Sequence, residues 1–188
     1  MQLARNGLTM GMYATYRRIR PAELEAMVAG ASEQPYLFEW FPEPYTLEGL
    51  EAERAAGKVF RLEKEWHALH FLLTGDASLE PPSPVPPPLG NVVQGGTPTP
   101  LEATYGPVRY LRTQEVREVA DALGAIPVEE LQRRFNAQIF NEREIYPMPG
   151  PGGWDEEDLE LLLEMYPEFV QFFRRAAEAG DVLLISVD

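Results

Sequence analysis

An α+β domain is the fold class this chain predicts. Strand-like runs lie near both ends, at Met12–Ile19 and Val182–Val187, and apolar residues at helical spacing fill much of the interval. Helices and strands do not alternate in the regular order that builds a parallel sheet. The expectation is one compact domain, a small mixed sheet packed by several helices, closed by a long helix and a final strand. A chain of 188 residues is ample for one core, and 45% hydrophobic with 24% charged residues is ordinary for a globular protein.

Met12–Ile19 is rich in Tyr, Thr and Ile and partly alternates, which favours a strand. Arg20-Pro21 then opens a helix with Pro at its first position, Leu24, Met27 and Val28 on its apolar stripe and Gly30 as its stop. Residues 31–46 have no clean period. Five aromatics fall within ten positions there (Tyr36, Phe38, Trp40, Phe41 and Tyr45), and burial on the domain's own core is the expectation over burial on a partner. A short helix over Leu47–Ala56 precedes Gly57. The main helix is expected from Leu62 to Thr74, with Leu62, Trp66, Leu69 and Leu73 as its stripe and Gly75 as its cap. Glu80–Pro88 holds six prolines in nine residues and cannot be helix or central strand. It reads as an extended loop or spacer, and docking of an aromatic groove is the lesser reading.

Val92-Val93 suggests a short strand before the Gly95-Gly96 turn, and Val108–Leu111 another. Thr113 can cap a helix that buries Val116, Val119, Ala120 and Leu123. Pro127 starts the next helix, with Leu131 and Phe135 inward, and Asn136 caps a short turn holding Ile139 and Phe140. Asp155 is an N-cap, and Glu156, Glu157 and Asp158 set negative charge where the helix dipole favours it. Leu159, Leu162, Leu163, Tyr166, Phe169, Val170, Phe173 and Ala177 keep one phase across Pro167, which predicts a single helix over 156–179, bent at that proline and stopped by Gly180. Val182–Val187 is apolar enough to be central in the sheet.

The formal net charge is −14, and the basic residues come as pairs among acids or apolar residues (Arg17-Arg18, Arg133-Arg134, Arg174-Arg175), which argues against nucleic acid as a partner. The charge serves solubility or faces a basic protein partner. There is no Cys, so disulfides and thiolate chemistry are excluded. Neither a membrane-length apolar run nor a signal peptide in Met1–Thr9 is evident, and a cytoplasmic location is expected.

Three stretches carry a family resemblance: Met10-Gly11-Met12 with Tyr16, then Trp66-x-x-Leu69-His70-Phe71-x-Leu73-Thr74-Gly75, then Glu144-Ile145-Tyr146-Pro147. In order and spacing they resemble the YfbM-like family, a widespread bacterial domain of unknown function. The resemblance covers roughly residues 10–188 and implies a compact mixed α/β cytoplasmic domain with no assigned activity. It makes residues 1–9 an N-terminal extension, disordered or ahead of a true start at Met10, and residues 76–88 an insert peculiar to this chain. The family pattern fixes His70 more than His67, which counts against any mechanism needing His67.

His67 and His70 are the only histidines, three residues apart and on one helical face. With Glu63 they form Glu-x-x-x-His-x-x-His, a weak zinc-type ligand set. The plainer reading makes His70 a buried, hydrogen-bonded histidine and His67 half-exposed, with no metal and no cofactor. In Tyr105-Gly106-Pro107-Val108-Arg109-Tyr110, a Gly-Pro turn can set Tyr105 and Arg109 near a loop end, where an arginine flanked by tyrosines suits a carboxylate or phosphate and equally a structural ion pair. Gly95-Gly96 lacks the spacing of a phosphate loop, and none of the serines lies in a nucleophile motif. The leading expectation is a non-enzymatic protein-interaction domain, immunity-type or regulatory, with an unknown protein partner and no catalytic residues. The alternative is a small-ligand binder or enzyme with a pocket around Trp66, His70, Tyr105 and Arg109.

Overall fold

The computed structural model describes residues 11–41, 47–148 and 152–188. The expected N-terminal extension, Met10 of the first motif and Tyr45 of the aromatic cluster lie outside them. Five strands form one sheet: β1 (Ala14–Ile19), β2 (Val59–Leu62), β3 (Thr97–Ala103), β4 (Gly106–Leu111) and β5 (Val182–Val187). Their order is β2-β1-β5-β4-β3, and every strand pair is antiparallel rather than mixed. The final strand β5 is thus central, and its residues alternate between two cores. Leu183 and Ile185 face one, Val182 and Leu184 the other. That is why the run is apolar at nearly every position.

The larger core is helical. It packs α4 (Trp66–Thr74), α5 (Thr113–Gly124), α6 (Val128–Arg134), α7 (Ala137–Glu142) and α8 (Glu156–Ala179) on one face of the sheet. α5 buries Val116, Val119, Ala120 and Leu123 as its period predicts. Arg112, not Thr113, takes its cap position. Asn136 caps α7, its side chain accepting from the Ile139 N–H. Asp155 caps α8 by accepting from the Glu157 and Asp158 N–H groups, and the helix runs unbroken through Pro167 to Gly180. Gly180 has φ 72°, the left-handed conformation that closes a helix at little cost without a Cβ. No helix among the described residues is long and apolar enough to cross a membrane.

The smaller core lies on the opposite face, under α1 (Pro21–Gly30) and α2 (Leu37–Trp40), while α3 (Leu47–Ala55) packs against β2. Met27 is the one fully buried residue of α1, and Val28 is exposed. Burial of the aromatic cluster holds only in part. Trp40 and Phe41 pack on the smaller core, whereas Tyr36 and Phe38 are each 50% exposed and stacked face to face.

Two strands escape the sequence reading. β2 occupies residues placed between two expected helices, and α4 starts at Trp66, not Leu62. Leu62 shares the helical spacing of Trp66, Leu69 and Leu73 because a strand residue buried on the same core can mimic the period. β3 carries Pro98 and Pro100, which demote a strand in sequence. It tolerates them as the last strand in the order, with both prolines exposed, Thr99 buried between them, Leu101 buried after them, and a register shift between Pro98 and Glu102. Val92-Val93 is no strand. It is a buried turn after the short helical turn Leu89–Asn91.

Candidate functional site

Position 109 is the anomaly of the larger core. On β4, Val108 points to the smaller core and Leu111 to the larger, so Arg109 projects among the helices. Arg109 pairs with Ile185 of β5, and Ile185 pairs with Tyr16 of β1, which sets a guanidinium and a phenol two strands apart on one face. Arg109 is only 5% exposed. Its Nη1 donates to the Gly95 carbonyl at 2.7 Å. Among the described residues no carboxylate lies within ion-pairing distance of it. Burial holds its pKa below the ordinary arginine value, with Tyr16 opposing the shift. Tyr16 is no counter-ion, since burial raises its own pKa and its hydroxyl donates to Val92 O at 2.8 Å.

A cavity of about 60 Å³ opens beside Arg109. Trp66 from the first turn of α4 forms one wall, its Nε1 donating to Met12 O at 3.2 Å. Gln94, 1% exposed, forms another. Leu79 and Pro81 from the proline-rich loop and Tyr105 from the β3–β4 hairpin complete the rim, and Tyr105 is 51% exposed. Three of the four residues proposed from sequence, Trp66, Tyr105 and Arg109, therefore line one cavity. The fourth, His70, lies deeper and does not line it. Gln94, Leu79 and Pro81 were not foreseen. A lone Gln before Gly95-Gly96 carries no chemical signature, and the loop's return over α4 leaves no periodic trace.

Both histidines are buried in the helical layer and engaged. His67, expected half-exposed, is 1% exposed. Its Nδ1 accepts the Tyr146 N–H at 2.9 Å, which leaves Nε2 to donate to Ala77 O at 3.2 Å. Burial lowers its pKa to about 4, so the ring is neutral at pH 7. His70 Nε2 lies 3.1 Å from Asp76 Oδ2, which also accepts from Ser83 Oγ at 2.8 Å. Burial lowers the His70 pKa against the pull of Asp76, and its Nδ1 is buried with no partner among the described residues. Burial raises the Asp76 carboxyl, but the Ser78 N–H, His70 and Ser83 outweigh that and hold it below the usual range.

The Glu63, His67, His70 ligand set does not form. Glu63 is exposed on the turn before α4, with Arg61 Nε at 3.8 Å, and both His67 nitrogens are occupied. Among the described residues no group of three His, Asp or Glu could hold a metal ion.

The family described as "Domain of unknown function (DUF1877)" matches residues 10–186. Among curated proteins, Protein YfbM of Escherichia coli (strain K12) is 29% identical over 126 residues, 64% of this chain and 71% of that protein. Among solved structures, the crystal structure of YfbM from Escherichia coli, a protein of unknown function, aligns with a TM-score of 0.60 at 21% identity. That match covers 94% of this chain and 99% of the other and shows a shared fold. The antiparallel sheet, its helical layer and the family match over nearly the whole chain agree, and this protein belongs to the YfbM-like family of unknown function, DUF1877.

Proposed function

We propose that this is a cytoplasmic binding protein for a small organic anion, with Arg109 as its receptor. The observation that carries the reading is a guanidinium buried beside a cavity, with no carboxylate in reach among the described residues. Buried charges are normally paired, because taking an ion out of water costs several kcal/mol. An anion in the cavity would supply that pairing, and guanidinium geometry favours a planar carboxylate. A volume of about 60 Å³ accommodates roughly four to six water-sized groups, the size of a carboxylate with one or two further atoms.

The test is thermal unfolding in sodium acetate and in sodium chloride at equal ionic strength, for the wild type and Arg109→Met. Acetate should raise the wild-type Tm beyond chloride, by the equivalent of about 2.7 kcal/mol when the anion reaches a hundred times its Kd. Arg109→Met should fold and show no acetate-specific rise. Equal responses to the two salts, or a rise retained in the variant, would overturn the reading.

A second reading, an acidic interaction domain, draws on the −14 charge and on the exposed Tyr36–Phe38 stack. A stoichiometric partner captured by the wild type and lost by Tyr36→Ser would favour it.

A further inference from the structure

The wall around Arg109 narrows the ligand class, and this step rests on the anion-binding reading above. Among the described residues the guanidinium has one acceptor, the Gly95 carbonyl. The partnerless side-chain atoms closed off from solvent there are Arg61 Nε, His70 Nδ1 and Gln94 Oε1. The remaining guanidinium nitrogens of Arg109 are not closed off, and Arg109 is a wall of the cavity, so they open into it. The other polar side chains of the wall are spent or stand at its mouth. Trp66 Nε1 donates to Met12 O, and Gln94 donates through Nε2 to the Ser78 carbonyl while its Oε1 is sealed. Tyr105 is half-exposed on the rim. Met12, Leu79, Pro81, Val93, Pro107 and Val187 supply hydrocarbon.

We infer that the ligand is a monocarboxylate with a plain hydrocarbon chain, a short fatty acid, its carboxylate on Arg109 and its chain leading out past Leu79 and Tyr105. Each methylene buried against the apolar wall adds hydrophobic stabilisation. A hydroxyl or amine on the first carbons would give up its water beside Arg109 and meet no open side-chain partner, which costs affinity. A second carboxylate would go unbalanced, since one guanidinium offsets one negative charge. The wall thus separates fatty acids from hydroxy acids, amino acids and dicarboxylates. A peptide C-terminus offers the same carboxylate, but it brings an amide N–H into the hydrocarbon.

The experiment is calorimetric titration of the wild type with sodium acetate, propionate and butyrate at equal ionic strength, and with lactate, which adds one hydroxyl to propionate. Affinity should rise about two- to fourfold per added carbon. Propionate should bind about tenfold tighter than lactate or more, because the hydroxyl is desolvated without a partner. Lactate binding as tightly as propionate, or no rise from acetate to butyrate, would overturn this inference and leave the anion site standing. Failure of every carboxylate, acetate included, would overturn the two together. Pentanoate and N-acetylglycine have equal chain lengths and separate the sources. Tighter pentanoate supports a free fatty acid, whereas N-acetylglycine binding as tightly or tighter would assign the site to a peptide C-terminus and overturn the hydrocarbon chain. In Leu79→Ser, at a half-exposed position, the gain per carbon should shrink, and a full gain in the folded variant would overturn the placement of the chain. The wild-type series stands whether or not that variant folds.

Discussion

Lowering the pH from neutral should first destabilise this protein through His67. Burial holds the folded ring neutral, and a proton on Nδ1 would in addition be set against the Tyr146 N–H. The ring titrates at about 4 in the folded chain and near its ordinary 6.5 in the unfolded one. Below pH 6.5 the unfolded chain gains a proton here that the folded chain does not, so stability falls as the pH is lowered and levels off near pH 4. Between pH 7 and about pH 4.5 this ring alone should remove about 2–3 kcal/mol. His70 acts with the same sign, since burial also lowers its pKa. Glu23, Asp76 and Glu130 have lowered carboxyl values, so their stabilisation is lost only at more acid pH. Urea unfolding across this range measures the slope. In His67→Asn, the Asn Oδ1 can accept the Tyr146 N–H without titrating. The variant should start less stable, because the Ala77 carbonyl loses its donor, yet show a visibly flatter acid slope. A slope equal to the wild type's would refute the assignment, as would a His67 ring proton that titrates near 6.5 by NMR.

Two further substitutions probe the fold. Phe140 is fully buried and meets Phe71, Phe135 and Trp154 edge-on, so Phe140→Ala should cost about 3–5 kcal/mol in chemical denaturation, and a loss under about 1 would mean the cluster closes over the gap. Pro167 is exposed inside α8 and leaves the Leu163 carbonyl without its helical donor, so Pro167→Ala should raise stability by about 1–3 kcal/mol. A fall instead would show that the packing of α8 depends on the proline.

Elements whose burial repeats at one period were legible in the sequence. α1 and α8 lie where Pro21, Gly30, Asp155 and Gly180 place their ends, and α5 shows the same agreement of period with burial. Misplaced elements broke one period or lacked length. β2 has four residues, too few to display alternation, and its Leu62 fell into phase with α4. β3 alternates exposed proline with buried Thr99 and Leu101, a pattern that proline statistics hide. The candidate site divides the same way. Tyr105 and Arg109 stand near one turn in sequence, whereas their approach to Trp66 depends on pairing across β4, β5 and β1, which no local pattern encodes.

The histidine pair illustrates how chemistry that looks catalytic in sequence can serve placement. Gly75 ends α4 at φ 75° and turns the chain back over its own helix, which brings Asp76 and Ala77 to the two ring edges. The loop so anchored sends the Ser78 carbonyl to Gln94 Nε2 and the Ser83 N–H to the Gln94 carbonyl, and it contributes Leu79 and Pro81 to the cavity. Prolines suit such a wall, because a chain already restricted in φ loses less entropy when it is held in one conformation. His67 through Nε2 and His70 through its own Nε2 thus hold a segment that clamps Gln94, while Arg109 on the sheet below has no carboxylate within ion-pairing distance among the described residues. The two histidines support the loop that walls the cavity, and neither of them lines the space beside Arg109.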